Sequence, residues 1–466
     1  MRTRLTWLAN VGPVVMVMLL AACTTAHESA ADAGPDGGST ADANIALDAA
    51  RDAADAGPEC PTGDVLITED VTEDTTWSCP RYRLFGQIFV TGSSTLTIEP
   101  GVEVVGDSTQ SPQGILIVTR GSELHAVGTA AQPIVFSSGR SVGERATGDW
   151  GGVALLGSAT INSGIDNAGV LEGLFESIPP NDPRGLYGGD DDASSCGHLE
   201  YVRIEFAGAE WAPDAEYNAL TLAGCGSGTE IRYVQIHRAF DDGIEIFGGT
   251  AGLDHVIISG VFDDGLDWDL GWRGDVQFLV IHQFAGIGDN GIEADNLGSN
   301  EAATPRSHPR LFNVTMVGSA RGMVLREGTR GLLRNFIIQD WASEPVDLRA
   351  TTNDLSMEWP SQLSIENSFF FNNGAYTDET TVAADNDDNG FDEQAAIEDP
   401  DRHNTVGADP MLGSTSITAP NYVPANTALN GQATPPAGFD TTATYAGAFS
   451  PNGTNWASGW TAFPAN

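Results

Sequence analysis

The chain has 466 residues, and its 64 Asp and Glu residues outnumber 21 basic side chains, all of them arginine, for a formal net charge of −43. A protein this acidic repels the phosphates of nucleic acid and the headgroups of anionic lipids, which makes both poor partners. The charge is typical of a saline or calcium-rich environment that screens self-repulsion, although arginine-favouring codon usage and selection for solubility explain it as well.

Residues 1–22 have the pattern of a signal peptide that ends in a lipobox. Arg2 and Arg4 precede an apolar run over residues 11–20, and the sequence then reads Leu-Ala-Ala-Cys up to Cys23. The run is too short to span a hydrocarbon core about 30 Å thick, so no stop-transfer helix is predicted. The segment resembles bacterial lipoproteins, which implies cleavage, lipidation of Cys23 and a membrane anchor at the cell outer membrane or cell surface. An ordinary secretory signal that happens to contain a cysteine is the alternative.

Residues 23–58 are predicted to form a flexible acidic tether. They consist mostly of Ala, Asp, Gly and Ser and contain almost no large apolar side chain. Burial of apolar surface therefore cannot offset the entropy that such a segment would lose on ordering.

The four cysteines that follow the tether support export. They fall into two local pairs, Cys60 with Cys79 and Cys196 with Cys225. Disulfides form and persist in oxidising compartments, so two disulfides are expected. The sequence does not fix their connectivity, and four free thiols are the less favoured alternative.

Residues 59–430 are predicted to form a solenoid, because short β-rich runs separated by glycine recur every twenty-odd residues. A six-residue pattern appears at 217–222, 241–246, 263–268, 289–294, 320–325 and 343–348. A second strand recurs alongside it, at 199–206, 231–237, 253–259, 276–282, 311–317, 333–339 and 363–371. Two or three strands per repeat indicate an all-β fold, a right-handed parallel β-helix, with residues 431–466 as a C-terminal cap or tail that packs on it.

Side chains two residues apart in the six-residue pattern point to the same face of a strand, which sorts them into columns. Two apolar columns are predicted to face the core: Leu220, Ile244, Leu266, Ile292, Met323 and Val346, and then Leu222, Ile246, Trp268, Ala294, Leu325 and Leu348. The column between them must face outward: Thr221, Glu245, Asp267, Glu293, Val324 and Asp347. A further outward column contains Asp269, Asp295, Arg326 and Arg349.

Two stretches of the sequence resemble known β-helix proteins. Residues 95–104, TLTIEPGVEV, are similar to the opening coils of many bacterial surface β-helix proteins. From residues 148–153, GDWGGV, to residues 456–460, WASGW, the chain resembles a family of secreted bacterial proteins with a pectin-lyase-like fold. The resemblance covers most of residues 80–460. It implies the fold and leaves the activity open, because one fold hosts many activities.

The outward carboxylates predict a calcium site. Neighbouring coils of a β-helix lie about 4.8 Å apart, so Glu245, Asp267 and Glu293 would form a row beside Asp269 and Asp295. Two unit charges at that spacing repel each other by roughly 3 kcal/mol at an effective dielectric constant of ~20. A bound cation relieves this repulsion, and an all-oxygen site favours calcium. Proton uptake and a merely solvated acidic face are the alternatives.

A second calcium candidate is the loop with Asp385, Asp387 and Asn389 at alternate positions, followed by Gly390. This spacing matches the first half of an EF-hand loop, but the twelfth position is Ala396, where that motif requires a bidentate glutamate. Glu398 is a substitute in an irregular loop, and a disordered acidic loop is the alternative.

Aspartates also precede glycine at the corners of three coils: Asp241, Asp242, Asp263, Asp264 and Asp289, with Asn290 beside the last. Aspartate and asparagine before glycine are typical of turns, where the side chain accepts a hydrogen bond from a nearby backbone N–H. Turns and side-chain ladders are therefore the favoured interpretation of these residues.

Catalysis would draw on Arg326 and Arg349. Polysaccharide lyases with a β-helix fold use calcium to neutralise a uronate and an arginine or lysine to remove its C5 proton, and the resemblance implies this role for the two arginines only if the chain is a lyase. Ionic pairing between coils is the favoured alternative. The polygalacturonase pattern is incomplete, because the chain has an Asp-Asp-Gly sequence but neither Gly-His-Gly nor Arg-Ile-Lys.

Two functions follow from these observations. The first is a lipid-anchored, non-catalytic surface protein whose β-helix binds glycan, or a neighbouring surface component, with the help of calcium. The second is a tethered polysaccharide lyase or glycoside hydrolase that acts on acidic polysaccharide. Release of sugar fragments distinguishes them.

Overall fold

The computed structural model describes residues 60–466 except 111, 165–167, 172–182, 213–214, 319, 351–357, 377–387 and 389. The predicted signal peptide, Cys23, the tether, Asp385, Asp387 and Asn389 therefore lie outside the described residues. The described part belongs to one compact unit, Pro58–Asn466. Within it, no helix has the length and apolar character needed to cross a bilayer.

Two long sheets of parallel strands make up the body of the protein, so the predicted fold class, a right-handed parallel β-helix, is confirmed. The nine-stranded sheet, called here the short sheet, contains Gln87–Val90, Ile115–Val118, Gly152–Leu156, Leu220–Ala223, Ile244–Phe247, Leu266–Asp269, Asn290–Ala294, Arg321–Leu325 and Asp347–Leu348. The sixteen-stranded long sheet contains Val65–Ile67, Thr75–Trp77, Arg81–Leu84, Thr95–Ile98, Glu103–Gly106, Glu123–Val127, Ile134–Ser138, Gly197–Glu205, Glu230–His237, Leu253–Ser259, Asp275–His282, Arg310–Val317, Gly331–Gln339, Leu363–Glu366, Phe369–Phe371 and Thr405–Val406.

Short elements decorate these sheets. Three antiparallel pairs join Gly169–Val170 to Leu186–Tyr187, Glu210–Ala212 to Ala215–Glu216, and Leu412–Ser414 to Asn421–Pro424. The described residues include one α-helix, Glu393–Glu398, and three turns of 3₁₀ helix, Pro183–Gly185, Pro400–Arg402 and Thr427–Leu429. The final parallel pair of the long sheet is Phe370 with Val406, ahead of residue 430, where the β-helix was predicted to end.

The predicted stacking of successive coils is confirmed. Leu220, Ile244 and Leu266 are direct partners in the short sheet, and the ladder continues through Ile292 to Met323. All of these side chains are fully buried. Period-two alternation therefore identified both the core-facing residues and the vertical register.

The long strands bend at one residue per rung that adopts a left-handed backbone conformation. These residues are Tyr201, Tyr233, His255, Phe278, Asn313, Asn335 and Asn367, with φ between 49° and 62°. Asparagine adopts this conformation more readily than most residues, whereas bulky aromatics rarely do. The aromatic members offset the cost by stacking, with ring centroids 4.6 Å apart for Tyr201 and Tyr233 and 4.5 Å apart for Tyr233 and His255. The period-two pattern gave no sign of this column.

Both predicted disulfides are present. Cys60 is bonded to Cys79, and Cys196 is bonded to Cys225. The second pair is buried in the same apolar core that the stacked columns fill. Each pair closes a local loop, so the predicted pairing of neighbours in the sequence is confirmed.

Residues 407–466 lie along the outer face of the long sheet. Asn335 and Ala433 exchange two hydrogen bonds, of 2.8 and 3.1 Å. Gln235 and Ala462 do the same several rungs away, at 2.7 and 2.9 Å. An apolar cluster forms between the sheet and the segment: Ile257, Val280, Val317, Tyr422, Ala448, Phe449 and Ala457. The segment therefore covers a flank of the solenoid.

Candidate functional site

The outer face of the short sheet changes character along the solenoid. One outward column runs through Phe89, Ile117, Ala154 and Thr221, then through Glu245, Asp267 and Glu293, and then through Val324 and Asp347. Its first members pack in an apolar cluster with side chains such as Leu171 and Tyr187. The structure thus places the three predicted carboxylates on consecutive rungs, directly above one another.

The corner aspartates form a hydrogen-bonded ladder beside this row. The backbone N–H of Asp264 donates to Asp242 Oδ1 at 2.9 Å, and that of Asn290 donates to Asp264 Oδ1 at 2.6 Å. The ladder begins with Asn218, whose Oδ1 accepts from the N–H of Asp242 at 3.2 Å. The prediction of turn ladders at these corners is therefore confirmed. Asp242 and Asp264 are both almost fully buried, which the turn interpretation did not anticipate.

Asp242, Glu245 and Asp267 come together into a compact group, called here the carboxylate cluster. Each offers one oxygen, and these oxygens all lie within 4.8 Å of one another. Asp267 Oδ1 is buried and has no hydrogen-bond partner. Asn218 Nδ2 donates to Glu245 Oε2. Three carboxylate oxygens this close, on residues that include a buried, unsatisfied Asp267 Oδ1, are an arrangement that a hard cation stabilises.

Sequence reasoning missed Asp242 as a candidate ligand, because it assigned the residue to a turn. The period-two pattern gave no signal for it, because Asp242 lies ahead of the strand Ile244–Phe247 and has the parity of the inward-facing Ile244, yet its oxygen joins those of the outward-facing Glu245 and Asp267. Asp242 also belongs to a second group of three carboxylates, with Asp241 and Asp263, whose oxygens lie within 4.8 Å of one another.

Burial and mutual repulsion make these carboxyl groups hard to ionise. Burial, and then the charges of Asp264 and Glu245, raise the pKa of Asp242 well above its usual value. Burial, and then the charges of Asp242 and Glu245, do the same to the pKa of Asp267. Burial raises the pKa of Glu293 to about 7, even though the positive charge of Arg326 lowers it. Protons therefore compete with any cation for this site.

Arg326 neutralises one end of the predicted acidic row. Its Nε donates to Asp295 Oδ1 at 2.9 Å, and its Nη2 pairs with Glu293. Two of the predicted metal ligands, Glu293 and Asp295, are thus ion-paired in the structure. Asp269 lies in the next outward column, level with Phe247 of the preceding rung.

The two arginines considered for catalysis are both held by carboxylates. Arg349 Nη2 pairs with Asp347 Oδ2 at 2.6 Å on its own strand. Burial alone would lower the pKa of Arg326, but its hydrogen bonds to Asp295 and the charges of Asp295 and Glu293 raise it above the ordinary arginine value. A guanidinium that holds its proton this firmly is a poor base, so the structure favours the pairing interpretation for Arg326.

A separate cleft, with a volume of about 750 Å³, lies on the flank of the long sheet. Its three arginines each pair with a carboxylate: Arg232 with Glu200, Arg273 with Asp192 and Arg310 with Asp275. All three arginines of the cleft are thus already neutralised. We therefore regard the carboxylate cluster as the stronger candidate site.

Fold and site together define a parallel β-helix protein with a carboxylate cluster on the outside of its short sheet. A family model for the pectate-lyase-like β-helix domain matches residues 67–461, and the chain belongs to that family. Membership suggests a carbohydrate-related function. Comparison with curated protein sequences and with solved structures gives no match.

Proposed function

We propose that this protein is a lipid-anchored cell-surface β-helix that binds acidic glycan through calcium held by the carboxylate cluster. The observation that carries the proposal is the convergence of Asp242, Glu245 and Asp267, with oxygens within 4.8 Å of one another and Asp267 Oδ1 buried without a partner. Without a cation, such a group must stay partly protonated. With a bound cation, the three carboxyl groups can be ionised and can serve as its ligands.

Calcium suits this donor set. The ion takes six to eight oxygen ligands at about 2.3–2.6 Å in flexible geometry. Asp242, Glu245 and Asp267 supply only part of that shell, so water or a carboxylate from outside must complete it. A uronate residue of an acidic polysaccharide brings such a carboxylate, and it would otherwise be repelled by a surface this acidic. Calcium therefore explains how an acidic protein binds an acidic polymer.

The anchor is the second part of the proposal. Lipidation of Cys23 would hold the β-helix at the outer membrane or cell surface, and the tether over residues 23–58 would let it reach polymer away from the bilayer. Metabolic labelling with a palmitate analogue tests it. Label should appear on the wild-type chain and be lost in the Cys23→Ser variant; equal labelling of both would contradict the anchor.

Calcium binding is tested by thermal melting of the mature chain, with Cys23→Ser allowing purification without lipid. A ligand that binds only the folded state stabilises it by about 2.7 kcal/mol at one hundred times its Kd, so calcium should raise the melting temperature relative to excess chelator. The double variant Glu245→Gln, Asp267→Asn should lose the difference. Glu230→Gln, on the long sheet with a side chain 58% exposed, is the matched control and should keep it.

Equal melting temperatures with calcium and chelator would refute the calcium site. If a difference exists but survives in the double variant, the loop with Asp385, Asp387 and Asn389 becomes the site, and Asp387→Asn should then abolish the response. Glycan binding is measured by calorimetric titration with oligogalacturonate and oligoalginate, each with calcium and with chelator. We expect binding only with calcium.

A glycoside hydrolase is the second candidate, favoured by one observation. Glu293, whose pKa burial raises to about 7, is partly protonated at neutral pH and lies on the rung next to Asp267, so the two carboxyl groups are neighbours as the acid and base of a hydrolase are. Release of reducing ends from acidic polysaccharide, abolished by Glu293→Gln, would establish it. Release of unsaturated uronides, seen by ultraviolet absorbance, would indicate a lyase instead.

A further inference from the structure

Two exposed phenylalanines stand at equivalent corners of consecutive rungs. Phe240 precedes Asp241 and Phe262 precedes Asp263, and the backbone N–H of Phe262 donates to Ala239 O at 3.0 Å across the rungs. Their side chains are 37% and 45% exposed. The rings are nearly parallel, with centroids 6.4 Å apart and an interplanar angle of 12°.

The two faces of this short stack differ. Phe240 is closed off by Gly148, where an added Cβ would lie only 3.3 Å from Phe240 Cβ. On the other side, the next rung has Gly288 at the equivalent corner, followed by Asp289, whose N–H donates to Asp263 O at 3.1 Å. Among the described residues, no third ring stacks on Phe262. The outer face of Phe262 is therefore an apolar surface on which a flat group of similar size can stack.

We propose that Phe262, backed by Phe240, is a stacking platform for one sugar ring of the bound glycan. A pyranose ring has an apolar face and a rim of hydroxyl groups. The face fits the open side of Phe262, and the carboxylates of Asp263 and Asp289 beside it can accept hydrogen bonds from the rim. The inference rests on the proposed function and names a second part of the same binding surface.

The surroundings of the rings favour a sugar over other occupants. Two phenylalanines are far smaller than the roughly 800 Å² that each partner contributes to a stable protein interface. The flanking aspartates repel an anionic lipid surface, whereas the hydroxyl groups of a sugar ring can donate hydrogen bonds to them. Phe262 also lies on the same rung as Asp267, with Asp263 and Asp264 between them in the chain. A polymer with one ring on Phe262 therefore lies on the rung that contributes Asp267 to the carboxylate cluster.

The test measures the Kd of oligogalacturonate and of its methyl ester, by calorimetry in calcium, for the mature chain carrying Cys23→Ser. The methyl ester lacks the carboxylate that reaches calcium and should bind more weakly than oligogalacturonate. Phe262→Ala should weaken binding of each probe by about five- to tenfold, because stacking uses the ring face and not the carboxylate. Phe262→Trp keeps an aromatic ring at this position and should bind both probes about as tightly as the parent chain. Phe85→Ala is the matched control: Phe85 is 37% exposed, lies like Phe262 between a long-sheet strand and a short-sheet strand, and should have no effect.

The outcomes separate this inference from the proposed function. If Phe262→Ala binds both probes like the parent chain while Glu245→Gln loses oligogalacturonate, the platform is refuted and the calcium-dependent site stands. If the parent chain binds neither probe and calcium leaves its melting temperature unchanged, the proposed function itself is refuted. Sedimentation showing a dimer that Phe262→Ala dissociates would also overturn the platform, because a second copy would then cover the rings.

Discussion

The two flanks of the solenoid treat their polar side chains in opposite ways. On the long sheet, Asn335 and Gln235 donate to and accept from the backbone of the C-terminal segment, and apolar side chains fill the space between. On the short sheet, the rungs that carry Glu245 and Asp267 leave a carboxylate cluster whose buried Asp267 Oδ1 has no hydrogen-bond partner. At Asn335 and Gln235 the covered flank satisfies its amide side chains from within the chain, whereas the carboxylate cluster requires a proton or a cation from outside.

The difference follows from what each side chain can donate. Amide side chains carry both donors and acceptors, so a passing backbone satisfies them fully. Ionised carboxylates only accept, and a backbone offers one N–H per residue. A row of them can be neutralised by arginine, as Arg326 does for Asp295 and Glu293, or else by a proton or metal. The short sheet uses the first solution at one end of its acidic row and leaves the other end open.

The largest expected effect tests the covered flank. Phe449 is 1% exposed and stacks on Trp456 with ring centroids 4.7 Å apart. Phe449→Ala should lower the free energy of unfolding by about 3–5 kcal/mol, because it removes a buried ring and leaves a cavity. Urea unfolding followed by circular dichroism measures it, with the exposed Phe85→Ala as the control. A loss below about 1 kcal/mol would mean that the segment contributes little to holding this flank.

A smaller effect tests the acidic flank. Arg326→Gln removes the charge that lowers the pKa of Glu293, so that pKa should rise further above about 7. A carboxyl with a raised folded-state pKa contributes stability that is full below its unfolded pKa and is lost as the pH rises through the folded value. Arg326→Gln should therefore cost roughly 1–3 kcal/mol near pH 8 and much less near pH 5.

The control for this experiment is Arg349→Gln. Arg349 pairs with Asp347, which Arg321 also contacts at 3.1 Å, so Asp347 keeps one cation when Arg349 is replaced. Its effect should be small and nearly independent of pH. A cost for Arg326→Gln that is equal at both pH values would show that the arginine acts through packing and not through charge.

The two flanks also differ in how much of their structure could be predicted from the sequence. Strict alternation in the six-residue pattern predicted which residues face inward, and Ile244, Leu266 and Ile292 stack as expected because each rung must bury the same face. The row from Glu245 to Glu293 follows from that register alone. Two disulfides were expected because the cysteines fall into sequence-local pairs in a chain predicted to be exported, but the sequence left their connectivity open.

Interactions between distant parts of the chain were not predictable in this way. Pairing of Arg326 with Glu293 and Asp295 depends on which side-chain conformation the arginine adopts, and the sequence left pairing and catalysis as alternatives. The path of residues 407–466 along the long sheet could not be predicted. The segment has no repeats, and a segment without a periodic pattern can pack in many places. Asp242 was not predicted as a ligand, because a turn motif accounts for an aspartate at this position without requiring it to be buried.

The smallest effect is expected for Asp264→Asn, which separates the hydrogen-bonded ladder from the carboxylate cluster. Asn keeps an oxygen to accept from the N–H of Asn290, now 2.6 Å from Asp264 Oδ1, and the same ladder already contains Asn218. Burial, and then the charges of Glu293 and Asp263, raise the pKa of Asp264 well above its usual value, so a neutral amide should be tolerated and stability at pH 7 should change by less than about 1 kcal/mol.

The response to calcium should distinguish Asp264→Asn from Asp267→Asn. Asp264 is not one of the three residues whose oxygens converge, so Asp264→Asn should keep most of the calcium-dependent rise in melting temperature, whereas Asp267→Asn should lose it. An equal loss in both variants would mean that total negative charge attracts the ion and that no particular set of oxygens binds it. The open flank would then be an acidic surface of the ordinary solvated kind, and its contrast with the covered flank would lie in charge alone.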